Sequence, residues 1–257
     1  MADPAPSAAT VDGLYDVIFD LLRPGDRSGI PTAVDHAYEM IWRQLIGRER
    51  QPGERLTDTE LAAQLGLSRT PVRQALHLLA REELVRFDAR RGFSVKVITA
   101  RDVREIYDVR SALEGLAVRL AAPRLTAGQL EVRLGSLHEV RGAIRNAPDQ
   151  QRANVLHLKE DLELHNLLIQ ASGNGRLIRI LGALRSQQSL FQYWDTSYPQ
   201  RNEAATDEHE RILLALIAGH TEEAAESMAQ HITNARDRVL ADLFGATEAP
   251  GRNRRED

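Results

Sequence analysis

The 257-residue sequence contains no cysteine, few aromatic residues, and no apolar run that approaches the roughly 18 residues needed to span a membrane. Without cysteine the chain cannot form disulfide bonds, thiolate metal sites or a cysteine nucleophile. The first ten residues, MADPAPSAAT, lack the basic start and the apolar segment of a secretory signal. We therefore expect a cytoplasmic protein that has no membrane partner.

Leu, Ala, Arg and Glu are abundant and period-two patterns are few, so we predict a mainly α-helical protein. Residues 33–98 are predicted to form three helices followed by a β-hairpin. The second helix, TELAAQL, should end at Gly66, and Ser68 can cap the third helix, which runs to about Arg81. The segment QPGERLT is predicted to be a turn, and apolar residues on both sides of DARRG predict two short strands.

The third helix concentrates positive charge, although the whole chain has a formal net charge of -4. On a helical wheel one face is apolar, with Val72, Ala75, Leu76 and Leu79, and the other is polar, with Thr70, Arg73, Gln74 and His77. Arg69 projects at the N-terminal tip. Arginine can bind guanine bidentately, glutamine can pair with adenine, and hydroxyl groups can hold phosphates, so this face suits a major groove.

The turn of the hairpin adds Arg90 and Arg91, which fit a DNA backbone or a narrow minor groove. Arg69 and Arg73 alone would be typical of a solvated helix face. Together with the glycine turn, the preceding helices and the basic hairpin, they predict DNA binding.

The segment PGERLTDTELAAQLGLSRTPVRQALHLLAREELV, followed by RRGFSV, resembles the winged helix-turn-helix of GntR-type transcriptional regulators over about residues 34–98. The resemblance implies operator contacts by Ser68, Arg69, Thr70 and Arg73, and a wing near Arg91 and Gly92 that enters the minor groove. The sequence departs from the family where Gln74 replaces the usual Glu, Glu83 replaces the usual Gly, and Thr59 replaces an acid or an arginine. These departures affect the expected operator sequence and not the fold.

The second half of the chain is predicted to be entirely helical. Proline and glycine breaks define helices over about 101–121, 127–146, 152–172, 174–194, 202–218 and 221–243. About six helices of this length predict an antiparallel bundle.

Polar groups with metal-ligand chemistry lie on apolar faces of three of these helices. Asp161 and His165 share a face with Leu158, Leu164 and Leu168, whereas Lys159, Glu160, Glu163 and Asn166 are predicted to point elsewhere. His209 and His231 lie on or beside the apolar stripes of two later helices. Such groups are either hydrogen-bonded core residues or ligands of a divalent metal such as Zn, Ni or Mn, and the pattern alone leaves both open.

Residues 101–241 are similar to the FCD effector domain of the FadR branch of GntR regulators, through DVREIYDVRSALEGLAVRLAA, DLELHNLLIQASGN and HERILLALIAGHTEEAAESMAQHI. The resemblance implies a divalent metal, with Zn expected first and Ni or Mn as alternatives, held by Asp161, His165, His209 and His231. His157 is a weaker candidate, and His138 and His220 are expected at the surface or at a helix end.

Metal-containing members of this branch bind small organic acids beside the metal. Arg110 matches an arginine that can pair with such a carboxylate. An intrahelical pair between Arg110 and Glu114 is the open alternative.

The sequence therefore predicts a ligand-responsive repressor that binds a palindromic double-stranded operator as a homodimer. We expect a partly disordered extension over 1–32, a winged helix-turn-helix over 33–98, an effector-binding and dimerisation domain over 99–243, and a flexible tail over 244–257. The alternative is a metal-dependent hydrolase or another enzyme built on a helical bundle. The chain lacks an HD dipeptide, HExxH, a phosphate-binding glycine loop and GxSxG, and an enzyme would leave SRTPVR unexplained.

Overall fold

The computed structural model of the protein describes residues 32–47, 49–192 and 199–245. Most of the predicted extension over 1–32 lies outside the described residues, and so does nearly all of the predicted tail. Within the described ranges no helix is both long and apolar enough to cross a membrane.

The N-terminal domain combines three helices with a small antiparallel sheet. Its elements are α1 (Ala33–Ile46), β1 (Arg55–Leu56), α2 (Asp58–Leu65), α3 (Arg69–Arg81), β2 (Val85–Asp88) and β3 (Gly92–Val95). The strands lie in the order β1-β3-β2, and β3 pairs with both neighbours.

The prediction that QPGERLT is only a turn was wrong, because this segment contributes β1. Arg55 lies opposite Ser94, and Leu56 lies opposite Phe93. A strand of two residues carries no period-two pattern of its own. It forms because β3 offers it a free edge.

Local signals define the turn between α2 and α3. The Thr57 hydroxyl accepts a hydrogen bond from the Glu60 amide, which caps the start of α2. Gly66 ends α2 in the left-handed conformation, at φ 65°, where a glycine has no steric penalty. Ser68 occupies the N-cap position of α3, but its side chain makes no capping hydrogen bond, so that detail of the prediction was wrong.

The C-terminal domain is a bundle whose helices start and end close to the predicted breaks. They are α4 (Ala100–Ala121), α5 (Ala127–Arg145), α6 (Gln150–Ala171), α7 (Gly175–Gln192), α8 (Pro199–Ile217) and α9 (Thr221–Phe244), with a 3-10 turn (Ala122–Arg124) after α4. Capping boxes at Thr99 and Thr126 fix the starts of α4 and α5.

The bundle packs around α4, which contacts α6, α7 and most extensively α9. Gly115 permits the close approach of α4 and α9, since an added Cβ would lie 3.3 Å from the Ala225 carbonyl oxygen. The bundle core is apolar, with buried residues that include Val103, Tyr107, Val118, Leu137, Leu164, Leu168, Ile212, Leu213, Met228 and Ile232. Buried polar residues, among them Asp161, His165, His209 and His231, lie on the same helices as this core.

Candidate functional site

The α3 helix presents the polar face that the helical wheel predicts. Its apolar residues Val72, Ala75, Leu76 and Leu79 are fully buried against the rest of the domain. Thr70, Arg73, Gln74 and His77 are exposed on the opposite side. The division between the two faces is therefore confirmed, and contact with DNA stays a prediction.

The two arginines of α3 differ in their surroundings. Arg69 donates a hydrogen bond to an Asp58 carboxylate oxygen at 3.0 Å, although 64% of its side chain remains exposed. Arg73 makes no ion pair or hydrogen bond within the described part of the chain. Its guanidinium is therefore the more readily available of the two for a base or a phosphate.

The wing is held in position by its own turn and by aromatic contacts with α3. The Asp88 carboxylate accepts hydrogen bonds from the Arg90 and Arg91 amides at 2.8 and 2.9 Å, and Gly92 has φ 79°. The His77 ring lies 4.9 Å from the Phe93 ring, measured between centroids. These contacts fix the direction of the hairpin relative to α3, while the Arg91 side chain remains exposed.

The four predicted metal ligands meet in the interior of the bundle. His231 Nε2 lies 3.2 Å from both His165 Nε2 and His209 Nε2. Asp161 Oδ1 lies 3.5, 3.6 and 4.0 Å from the Nε2 atoms of His165, His209 and His231. All four residues are buried, and three helices supply them.

A glutamate contacts the outer nitrogen of each imidazole. His209 Nδ1 lies 2.8 Å from Glu160, His231 Nδ1 lies 2.7 Å from Glu208, and His165 Nδ1 is hydrogen-bonded to Glu114. An ionised carboxylate only accepts hydrogen bonds, so each Nδ1 carries the proton and donates it. The Nε2 lone pairs of neutral rings then point towards one another, which is the orientation that metal-bound histidines have.

The charges around the cluster favour a cation at its centre. Burial would raise the Asp161 pKa, but the electrostatic attraction and the hydrogen bond from His165 outweigh burial and hold that pKa well below its usual range. Burial, followed by repulsion from His209, lowers the His231 pKa to about 3. An ionised carboxylate and a neutral imidazole thus face the same point, and three imidazoles with one carboxylate are a donor set that divalent metals accept.

His165 shows which charge this site attracts. Burial alone would lower its pKa, but the carboxylates of Glu114 and Asp161 outweigh burial and raise it. The centre therefore attracts positive charge, either as a proton on His165 or as a metal ion in its place.

The prediction that Glu160 points away from this site was wrong. Glu160 is buried, and besides contacting His209 it accepts a hydrogen bond from Arg133 of α5 at 2.8 Å. A wheel of α6 alone places Glu160 beside the apolar stripe, but α5 and α8 cover that flank and supply its partners. In the pairs Glu160-Asp161 and Glu208-His209 a glutamate directly precedes a candidate ligand. That proximity was the sequence signal that could have identified these glutamates.

Arg110 is buried and paired within its own helix. Its Nε donates to Glu114 at 2.8 Å, and another of its nitrogens donates to the Gln188 amide oxygen. The intrahelical alternative is therefore present in the structure, and an effector contact stays a prediction. Through Glu114 the guanidinium also supports His165.

The remaining bundle histidines lie outside the group of four. His138 is exposed and contacts Glu210 at 2.7 Å, and His220 lies at the start of α9 beside Glu223. His157 is half-buried, and its Nδ1 has no hydrogen-bond partner among the residues that the structure describes. The weaker ranking of His157 agrees with its absence from the cluster.

Comparison with known proteins identifies both domains. Residues 33–95 match the family described as bacterial regulatory proteins, gntR family, and residues 105–234 match the FCD domain. The Nta operon transcriptional regulator of Aminobacter aminovorans is 33% identical over 79% of this chain and 93% of its own. The gluconate operon transcriptional repressor of Bacillus subtilis strain 168 is 30% identical over 67% of this chain and 68% of its own.

Among solved structures, E. coli McbR/YncC has a TM-score of 0.65 and covers 82% of this chain and 98% of its own. Its sequence identity is 22%, so it supports the fold alone. The matched families and relatives are transcriptional regulators and not enzymes, which argues against the hydrolase alternative. This chain belongs to the gntR family of bacterial transcriptional regulators, in the branch that carries an FCD domain.

Proposed function

We propose that this family member is a homodimeric repressor whose affinity for its operator changes when a small organic acid binds beside a divalent metal ion. The observation that carries the proposal is the convergence of three imidazole Nε2 atoms on Asp161 Oδ1, with a glutamate behind each ring. Zinc is the expected ion, and nickel and manganese also suit this donor set.

Asp161, His165, His209 and His231 would hold the ion, and the bound ion would supply a Lewis-acidic positive charge that attracts a carboxylate. The protein's own part is to keep these ligands oriented. Glu114, Glu160 and Glu208 fix the tautomers of the rings, because each accepts the Nδ1 proton. Burial excludes the water that would otherwise compete for an anionic ligand.

Arg110 is the proposed second contact for the organic acid. Glu114 holds one edge of its guanidinium, and the Gln188 amide occupies another nitrogen. An acid that displaced the Gln188 oxygen would meet donors that are already oriented. The gluconate operon repressor, one of the relatives, is named for an operon of a sugar acid, which supports this ligand class.

On the DNA side, the proposed contacts belong to α3 and the wing. Arg73 and Gln74 would contact base edges, and Ser68, Arg69 and Thr70 would hold phosphates near the start of the helix. Arg91 and Gly92 would enter the minor groove. The exposure of the polar α3 face supports these roles.

Exposed apolar residues on neighbouring bundle helices support the proposed homodimer. Val109 and Leu116 of α4 are 45% and 38% exposed, and Ile180 of α7 is 49% exposed. Val109 and Leu116 are seven residues apart, so they lie on one face of α4. Exposed apolar residues of this kind suit association with a second copy, which would present two α3 helices to a palindromic site.

A titration of DNA-bound, metal-loaded protein with gluconate, followed by other small organic acids, tests the proposal. The probe is a duplex from the region upstream of the protein's own gene, and binding is followed by fluorescence anisotropy. An acid that acts as the effector must bind one conformation of the dimer better than the other. It should weaken DNA binding by about 5- to 150-fold.

The His209→Ala, His231→Ala double variant is the test of the metal in the same titration. Elemental analysis should find about one ion per chain in the wild type and almost none in the double variant, which should not respond to the acid. His138→Ala is the matched control, because it removes an exposed imidazole outside the cluster. An unchanged metal content in the double variant would contradict the proposed site.

A further inference from the structure

The hydrophobic core of the DNA-binding domain is completed by residues from the helical bundle. Leu162 of α6 and Leu190 of α7 are buried in the same apolar cluster as Trp42 and Leu45 of α1. Leu158 is partly buried and packs against this cluster, and α1 also contacts α7. The two domains therefore share a core in addition to the chain that joins the wing to α4.

The part of α6 that enters this shared core also carries two of the candidate metal ligands. Asp161 directly precedes Leu162, and His165 follows Leu162 by three residues. Leu158 and Leu162 are four residues apart, and so are Asp161 and His165, so the two pairs lie side by side along α6. A change in the position or stiffness of this segment acts on both pairs, because they belong to the same two turns of helix.

The other bundle residue in the shared core is close in sequence to the Arg110 network. Leu190 lies two residues after Gln188, whose amide oxygen accepts a hydrogen bond from Arg110. Arg110 in turn is paired with Glu114, which contacts His165. α6 and α7 thus each carry a leucine of the shared core within two residues of the candidate site or of its hydrogen-bond network.

A second connection between the domains is polar and more exposed. The Lys96 ammonium lies 2.9 Å from Glu83 at the base of the wing and 3.2 Å from Asp102 in the first turn of α4. Exposed ion pairs of this kind contribute little, whereas buried leucine side chains contribute strongly to packing. The leucines are therefore the stronger of the two connections.

We infer that Leu158, Leu162 and Leu190 are positioning residues that transmit the state of the metal centre to α1, and so to the DNA-binding domain. The inference rests on the proposed metal site and names the contact through which that site affects DNA binding. Packed side chains on a rigid helix are a physical route for such coupling, and α6 provides one over a few residues.

Hydrogen–deuterium exchange of the α1 amides, with and without Zn²⁺, measures the coupling without any need for an effector. Zinc content is measured in every sample. In the wild-type chain, zinc should slow α1 exchange by at least about fivefold, the low end of usual couplings between two sites. In Leu162→Ala the effect should fall below about twofold, while the chain still binds zinc.

Leu168→Ala is the matched control, because Leu168 lies on the same helix and is buried in the bundle core, not in the shared core. It should keep the zinc-dependent protection of α1. Leu158→Ala is the second variant if Leu162→Ala does not fold, because Leu158 is only partly buried, and it should also weaken the protection.

Zinc binding without slower α1 exchange in the wild type overturns the inference and leaves the metal site standing. Protection equal to that of the wild type in both Leu162→Ala and Leu158→Ala overturns it as well. A chain that takes up no zinc, nickel or manganese overturns the proposed metal site, and the inference is overturned with it.

Discussion

The two functional regions of this protein handle charge in opposite ways. On α3, Arg73 is exposed and unpaired within the described residues, and the polar face around it carries no acid. In the bundle, Arg110, Arg133 and Arg238 each contact a glutamate that in turn contacts a histidine of the candidate metal site. In the first region the charge is hydrated, so little free energy is lost. In the second region each buried charge is paired with an opposite charge, because burial of a charge without a partner is costly.

This difference indicates what each region can bind. An exposed cation without a partner can accept any phosphate or base edge that fits, and its contribution depends on salt. In the bundle an arginine compensates the charge of each glutamate. Among the described residues, the three imidazole Nε2 atoms have no such partner and face one point together with Asp161, and that point is suited to a cation. Under the proposed function, the first region would recognise an extended anion and the second would select an ion.

The largest expected effect concerns the exposed region. Arg73→Ala should weaken operator binding by about 2–6 kcal/mol per dimer, because a loss of about 1–3 kcal/mol occurs at each half-site. In a fluorescence anisotropy titration this corresponds to at least about 30-fold. Arg145→Ala, which removes an exposed arginine on α5, is the control and should change affinity little.

The same titration distinguishes base contact from phosphate contact by Arg73. If the guanidinium contacts bases, the loss should be confined to the operator and be small on a scrambled duplex. If it contacts phosphates, both duplexes should lose affinity, and the salt dependence should fall by about 0.9 per contact. Equal operator affinity of Arg73→Ala and Arg145→Ala would refute the role of α3 in recognition.

The sequence predicted the exposed region more completely than the buried one. The polar face of α3 follows from the periodicity of one helix, so a wheel is sufficient to identify Thr70, Arg73 and Gln74. The candidate ligands Asp161 and His165 could be placed on one face for the same reason. The glutamates behind the rings could not, because their partners come from other helices and no single-helix pattern contains that pairing.

The second prediction tests those glutamates. Glu160→Gln keeps an oxygen near His209 but removes the charge, so zinc affinity should fall by about 10- to 100-fold, as is usual for residues that orient a metal ligand. Competition with a chromophoric chelator measures the change. Glu163→Gln is the matched control, because Glu163 lies on the same helix and, among the described residues, makes only long ion pairs, at 3.7 Å to Arg133 and 3.8 Å to Lys159.

Similar zinc affinities of Glu160→Gln and Glu163→Gln would mean that the carboxylate beside His209 only fills space. In that case packing would orient the His209 ring. The pairing of buried charges would then not explain why the bundle differs from α3. A fall confined to Glu160→Gln would strengthen that contrast.

One departure from the family pattern was expected to leave the fold unchanged, yet it coincides with unusual backbone geometry. Glu83 stands where Gly is usual, and the structure gives it φ 59°, in the left-handed region that favours glycine. Other local features escaped prediction because they depend on tertiary pairing, as for β1, which exists only beside β3. The left-handed backbone at Glu83 runs against the preference of its own side chain, and contacts between elements decided the strand and the buried network.

The smallest expected effect follows from that residue. Glu83→Gly should relieve about 1–2 kcal/mol of left-handed strain. It also removes an exposed ion pair with Lys96, which contributes about 0.2–1 kcal/mol. The net gain of about 1 kcal/mol should raise the Tm by about 2–4 °C, measured by calorimetry.

Glu83→Gln is the control, since it loses the charge but keeps the strain, so it should melt at or slightly below the wild type. If the glycine variant melts no higher than the glutamine variant, the left-handed residue is not strained, and the DNA-binding domain tolerates the departure without loss of stability.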